Sequence, residues 1–449
     1  MMNVLFVIRS AQIYHYYESI VAALGKRGHR VTLLFDKDWT GDEYIADVGQ
    51  PFEWAHVRSG WERRILFAAR ELLSYRRYLL IKYQSSFYAE RWLKYVSPKM
   101  RFFIKRVPGV QRLIKTNIVG ALLRLVERLA PPDHMISEDI KRRAPDVVLA
   151  TPVNFRQSSS DLEYIKAAKF LGIPTAVPVI SWDNLTTKGI FHAIPDLLLV
   201  WNKEQQEEAW AHHGISADKT AIVGAPFFDK WFTHLTPSLS REDFAQKFDF
   251  SAQDSVILYL GSSDNIAPDE RRLIIEMRNA LDVSRDERIK NTQIIFRPHP
   301  ANYKVYKDFS LPKVFVQKGG VMPKDAESLQ DFYNLLFYSE AVVSINTSGM
   351  VDAIIAGRPV ISFERKEFST TQVLAQHYRH MRQSNALYVT KTPQEFLEIF
   401  SKLLLGEDFK KPDREKFIRD FVRPRGIDKS AGEVVAQETE ALFERSKNV

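Results

Sequence analysis

Arg297 and His299 stand two apart in "IIFRPHPAN", directly after an apolar run, with Pro298 and Pro300 fixing the backbone on either side of the imidazole. A guanidinium can bind a phosphate through parallel N–H donors, and a neighbouring imidazole can neutralise a departing diphosphate or give it a proton. A second group fills a tight polar turn in "SINTSGMVDAIIAGRPVISFE" (344–364), where Asn346, Thr347, Ser348 and Gly349 lie between an apolar strand and an apolar helix. Backbone N–H groups at a helix start, the positive end of the helix dipole and two hydroxyls suit a diphosphate, and a glycine admits it without a Cβ in the way. Each group also has a bland reading: His299 as a buried, hydrogen-bonded side chain, and Thr347 and Ser348 as helix caps. Ser262 and Ser263 in "LGSSDN" end another apolar strand, where they line the same site or cap a turn.

The first half of the chain offers candidates for a general base. His15, with Glu18 close behind, follows the apolar run "NVLFVI" near the start of a helix. Asp183 in "SWDNLTTKG" is the rival base, or an acid that braces its own turn. Asn154 and Arg156 in "TPVNFRQ" occupy a further strand end, with no role assigned. The pair Asp36 and Asp38 in "DKD" imitates a metal-binding pattern, but two acids beside a strand end are commonplace and no metal is expected. No phosphate-binding Walker loop and no G-x-G-x-x-G run is present, so neither ATP nor NAD is indicated and no cofactor is expected.

These side chains need strand ends to hold them, and the pattern supplies strands. "NVLFVI", a helical spacing over 16–26 and "VTLLF" make a βαβ unit, which implies a parallel sheet. "DVVLAT", "TAVPVI" and "DLLLVW" continue it, with helices expected over 162–171 and 203–213. "IVGAPFFDKW" (222–231) reads as a connector punctuated by Gly224 and Pro226. A second alternation follows: "SVILYLG", "TQIIF", "KVFVQ", "AVVSIN", "PVISF" and "ALYVT", with helices over 271–281, 329–338 and 350–356. The expected class is α/β, with two Rossmann-like domains over 1–222 and 223–411 facing a cleft, and a C-terminal helical segment over 412–449 that crosses back to the first. In open parallel sheets ligands bind beyond the carboxyl ends of the strands, where the polar groups above lie.

The spacing of Asp352, Ala353, Gly357 and Pro359 resembles the acidic-Ala-x-x-x-Gly-x-Pro signature of the GT-B glycosyltransferases, a two-Rossmann-domain superfamily. "RGHRVTLLFD" and "VGAPFFD" are similar to segments of the same superfamily. The resemblance implies a nucleotide-activated sugar as donor in the second domain, with Asp352 on the ribose and Thr347 to Gly349 on the diphosphate. It also implies an acceptor in the first domain, where the candidate bases His15 and Asp183 lie. Many members carry Glu where this chain has Asp352, and His where it has Ser344. "RPHP" resembles the motif of CDP-glycerol glycerophosphotransferases and of several capsule polysaccharide transferases, and "HP" occurs in UDP-N-acetylglucosamine 2-epimerases, which share the fold.

Composition bounds the rest. The 449-residue chain is 45% hydrophobic and 26% charged, ordinary globular values that exclude a disordered scaffold. It has no cysteine, which excludes disulfides, thiolate metal sites and a cysteine nucleophile. No run is long and apolar enough to span a membrane, and the N-terminal apolar run is too short for a signal peptide, so a cytoplasmic, soluble or peripheral protein is expected. The formal charge of +8 is uneven: residues 60–130 carry 16 Lys or Arg against 4 Asp or Glu. This basic helical insert, mixed with aromatics, fits amphipathic helices on an anionic membrane, or a solvated hairpin packed on the first domain. Nucleic acid is not expected, since no RNA-binding motif accompanies it. The sequence therefore points to a metal-independent glycosyltransferase acting on a cell-surface glycan or lipid-linked acceptor. The alternatives are a CDP-alcohol phosphotransferase, a nucleotide-sugar epimerase and a non-catalytic membrane adaptor of the same fold.

Overall fold

The computed structural model describes residues 1–45, 48–60, 62–81, 86–155, 159–233, 235–317 and 325–448. Arg156 falls outside them. The chain divides into two compact units, Met1–Lys230 with Arg419–Val449, and Trp231–Ile418.

The first unit holds a seven-stranded sheet of β1 (Asn3–Ile8), β2 (Arg30–Phe35), β3 (Glu53–Trp54), β4 (Val147–Thr151), β5 (Thr175–Pro178), β6 (Leu197–Val200) and β7 (Thr220–Ile222). The order is β3-β2-β1-β4-β5-β6-β7, and every pairing is parallel. Val4 pairs with Val31 on one side and Val147 on the other. The central strands are buried on both faces, which is why they read as unbroken apolar runs. The edge strands β3 and β7 were not legible as strands; they are two and three residues long and not buried.

The connector as far as Lys230 belongs to this unit, and Trp231 opens the second. Ala225 N–H donates to the Val422 carbonyl at 3.0 Å. The Asp229 carboxylate accepts from the backbone N–H groups of Ala431 and Gly432 and pairs with Arg423 at 2.7 Å, so it caps the helix Ala431–Lys447. That helix lies against Glu18–Lys26, where a Cβ on Gly432 would sit 2.4 Å from the Ser19 carbonyl oxygen.

The basic insert folds as helices Arg63–Leu80, Ser86–Leu93, Pro98–Arg106, Val110–Lys115 and Asn117–Leu129. Three of its arginines are internal ties. Arg70 pairs with Glu127 and Glu163 at 2.6 Å each. Arg76 donates to the carbonyls of Ile114, Lys115 and Thr116, and Arg77 to those of Leu185, Lys188 and Gly189. Arg70 and Arg77 thereby fasten the insert to the rest of the first unit, through charge-assisted bonds to the Glu163 carboxylate and to the carbonyls of Leu185, Lys188 and Gly189. Among the described residues, no helix is long and apolar enough to cross a membrane.

The second unit holds β8 (Val256–Leu260), β9 (Gln293–Arg297), β10 (Val314–Val316), β11 (Ala341–Ser344), β12 (Val360–Phe363) and β13 (Tyr388–Thr390). Their order is β10-β9-β8-β11-β12-β13, again all parallel. The expected fold class, α/β with two Rossmann-like domains, is the one observed. In each sheet the first strand sits at the point where the order reverses, β1 between β2 and β4, and β8 between β9 and β11. Such reversals open a crevice at the carboxyl ends of the strands.

Candidate functional site

The reversal point of the second unit gathers the residues singled out from the sequence. β8 runs out into Gly261, Ser262 and Ser263; β9 ends on Arg297 and leads into His299; β11 leads through Asn346 and Thr347 into the helix Gly349–Ile355. Register alone makes these ends meet: Leu260 pairs with Arg297 on one side and Ser344 on the other.

The group separates into an outer and an inner layer. His299, Ser263, Thr347, Ser348 and Gly349 are half-buried, open to a ligand. Ser348 makes no side-chain capping bond to the short helix that follows it, so the capping role does not use up its hydroxyl. His299 Nδ1 accepts from the Ala301 N–H at 3.1 Å. In the neutral ring the proton is therefore on Nε2, which becomes a donor. Burial depresses the His299 pKa, with the Asp264 charge acting against that shift, so the ring is neutral near pH 7.

Ser262, Arg297, Asn346 and Asp352 are buried and form the inner layer. The Asn346 N–H donates to Ser262 Oγ at 3.3 Å, and the Ser262 N–H donates to Glu270 Oε2 at 2.9 Å. Arg297 donates to Gln317 Oε1 at 3.1 Å and lies 4.7 Å from the Phe332 ring centre. Its pKa is lowered to about 10 by burial, partly countered by Asp352 and Asp331, so it stays cationic at neutral pH. Asp352 accepts from the Trp231 indole N–H. A ribose contact for Asp352 would require the carboxylate to share or leave that bond. In this structure Arg297 and Asp352 are buried, engaged with Gln317, Phe332 and Trp231.

The need for glycine has a source in packing. A Cβ on Gly349 would lie 2.8 Å from Leu260 Cδ1, so the close approach seen here is to a side chain of β8. At Gly261 a Cβ would fall 3.1 Å from the His299 backbone nitrogen and 3.2 Å from Pro298 Cα. Gly261 is thus what lets the "RPHP" turn sit against the end of β8.

Several contributors carried no legible signal in the sequence. Glu270, just before the helix Arg271–Asp282, is fully enclosed; burial raises its pKa to about 8 against the hydrogen bonds from Ser262 and Tyr259. A neutral carboxyl under the site does not repel an anion. The loop after β12 adds Thr371 and Gln372, and the helix Gln376–Gln383 that follows adds His377, whose Nε2 lies 3.2 Å from Asn346 Nδ2. Gln372 Nε2 donates to the carbonyls of Ile345 and Phe363 at 2.7 Å each, and Asn346 Nδ2 donates to the Thr371 carbonyl at 2.8 Å. The polar run "STTQ" after an apolar strand is the only trace of this brace in the sequence.

In the first unit, His15 lies in a 3-10 turn, Ala11–Tyr16, that follows β1, with its ring 4.4 Å from that of Tyr16 and 5.9 Å from that of Phe227. Asp183 is engaged locally. Its carboxylate accepts from Ser181 Oγ and Thr187 Oγ1 and pairs with Lys188 at 3.1 Å, the turn-bracing alternative. Asn154 is buried and donates to the carbonyls of Asn184 and Gly189. Asp36 is likewise buried, accepting from the N–H groups of Ser160 and Asp38.

Two all-parallel sheets of this order are those of the GT-B fold. The UDP-GlcNAc 2-epimerase of Methanocaldococcus jannaschii superposes with a TM-score of 0.56 at 14% identity, over 98% of this chain and 100% of that one. The UDP-GlcNAc 2-epimerase of Neisseria meningitidis, bound to UDP-GlcNAc, gives 0.56 at 12% identity, over 98% and 100%. A glycosyltransferase from Rickettsia africae gives 0.54 at 10% identity, over 99% of each chain. No protein-family model matches the sequence, and no curated protein is significantly similar to it. The likeness is one of fold.

Proposed function

We propose that the chain is an enzyme of nucleotide-activated sugars that transfers the sugar to a hydroxyl of a glycan or lipid-linked acceptor, without a metal ion. The observation that carries this reading is the convergence at one sheet reversal of the His299 Nε2 donor, the uncommitted Ser348 hydroxyl and the buried cation Arg297. In the step proposed, the acceptor oxygen bonds to the anomeric carbon as the bond from that carbon to the diphosphate oxygen breaks. The acceptor proton passes to a base of the first unit, for which His15 is the candidate. The departing diphosphate is stabilised by His299, Thr347, Ser348 and the nearby charge of Arg297.

Epimerisation of the donor is the second reading, favoured by the similarity to two UDP-GlcNAc 2-epimerases. It shares the donor site but needs no acceptor. The test begins with thermal unfolding against UDP, GDP, TDP, CDP and CMP. A ligand at about a hundred times its Kd stabilises a fold by about 2.7 kcal/mol. One responding nucleoside diphosphate supports the reading and names the donor class. The matching nucleotide sugar is then incubated alone: a new sugar epimer formed without acceptor selects the epimerase. Response to CDP and CMP with release of CMP selects the phosphotransferase. Silence from all five nucleotides overturns the enzyme reading in favour of the adaptor.

A further inference from the structure

The helix Asn117–Leu129 turns Ile118, Leu122, Leu125 and Leu129 outward, at intervals of four, three and four residues, and they are 47–74% exposed. At about 100° per residue these positions fall in one narrow stripe along the helix. Phe102, Phe103 and Leu113 in the two preceding helices are also exposed. Solvated helices do not align aliphatic residues on their outer face, and an exposed stripe of this kind marks a docking surface.

The charges around the stripe say what docks there. From Arg91 to Val126 there are nine Lys or Arg and no acidic residue. Lys99, Lys105, Arg106, Arg112, Lys115 and Arg124 are all exposed. Glu127, the one acid on the stripe helix, is committed to Arg70 and Lys166. The same helix directs Arg124 and Arg128 to a cavity of about 710 Å³ with Arg76 and Arg77, so cations also flank the stripe on its inner side. We infer that this face of the insert docks on an anionic lipid bilayer, with the aliphatic stripe at the acyl boundary and the exposed cations of the insert among the headgroups. A nucleic acid would be met by stacking aromatics, and the stripe is aliphatic. A second copy of the chain would set this strongly cationic face against itself.

The full chain is sedimented with vesicles of phosphatidylcholine alone and of phosphatidylcholine with phosphatidylglycerol, without nucleotide, so the result is independent of the donor-site reading. The expected result is binding to the anionic vesicles only, weakened by salt and reduced about tenfold or more by Leu122→Asp with Leu125→Asp. Both positions are exposed, and circular dichroism checks the fold of the variant. Because the chain has no cysteine, a Leu122→Cys variant carries a single polarity-sensitive label, with Val283→Cys, an exposed site of the second unit, as its control. Fluorescence that rises at 122 and not at 283 supports the inference. Three results overturn it: no binding to anionic vesicles, binding unchanged by the aspartates with no response at 122, or a dimer in solution that the aspartates dissociate and that binds no vesicles.

Discussion

The backbone N–H of Asn346 donates to Ser262 Oγ at 3.3 Å, across 84 residues of sequence, and so ties the loop after β11 to the loop after β8 at the reversal point of the second sheet. Ser344 Oγ reinforces the tie with a 2.8 Å bond to the Leu260 carbonyl. Both bonds are buried, where a lost partner is costly. The phosphate-suited turn at Thr347 to Gly349 is thus held by its neighbours before any ligand arrives.

The outer layer can be tested against the inner. His299→Ala is expected to lower kcat about 10²- to 10³-fold with the fold retained, because it removes a donor to the departing diphosphate. Ser348→Ala is expected to weaken nucleotide binding, read by calorimetry, with little change in Tm. Full activity in both variants would remove the site assignment.

His15 and Asp183 make opposite predictions. His15→Ala should depress kcat about 10²- to 10⁴-fold while leaving nucleotide affinity unchanged, the mark of an acceptor base. Asp183→Ala strips Ser181, Thr187 and Lys188 of a shared acceptor and should cost about 1–3 kcal/mol of stability, seen as a lower denaturation midpoint. Loss of kcat in Asp183→Ala at unchanged stability would reverse the two roles.

Gly261→Ala places a Cβ against the backbone of Pro298 and His299. Overpacking of this kind costs about 1–3 kcal/mol. Since the displaced atoms carry the imidazole, kcat should fall more than nucleotide affinity. Equal effects on both would mean that the turn moves as one body.

Glu270 gives the pH dependence. Its pKa is about 8 in the fold and near the ordinary carboxyl value when unfolded, so between those values the folded state holds the extra proton and stability falls as pH rises, by up to about 1.4 kcal/mol per pH unit. Glu270→Gln removes that slope, and its Tm advantage over the natural protein should grow with pH across this window. Nucleotide affinity of the natural protein should decline above about pH 8, as a charge appears beneath the anion site, and that of Glu270→Gln should not. Parallel affinity profiles would show that Glu270 does not influence the anion site.

The strands of both sheet centres were legible because parallel strands buried on two faces must be continuous apolar runs, as in β1, β4, β8 and β11. From their spacing it followed that Ser262, Arg297, His299 and Asn346 to Gly349 come at carboxyl ends, the place where such sheets bind ligands. Edge strands β3 and β7 escaped notice because exposed edges impose no such run. The division into layers also escaped it. Whether Ser262 and Arg297 meet a ligand or support one depends on burial and on partners such as Glu270, Gln317 and Phe332, and the sequence carries no periodicity for contacts between separate loops. The same holds for Gln372, which bridges the ends of β11 and β12 from a loop with no motif. Local pattern sets which residues reach the end of a strand; long-range packing sets which of them remain exposed there.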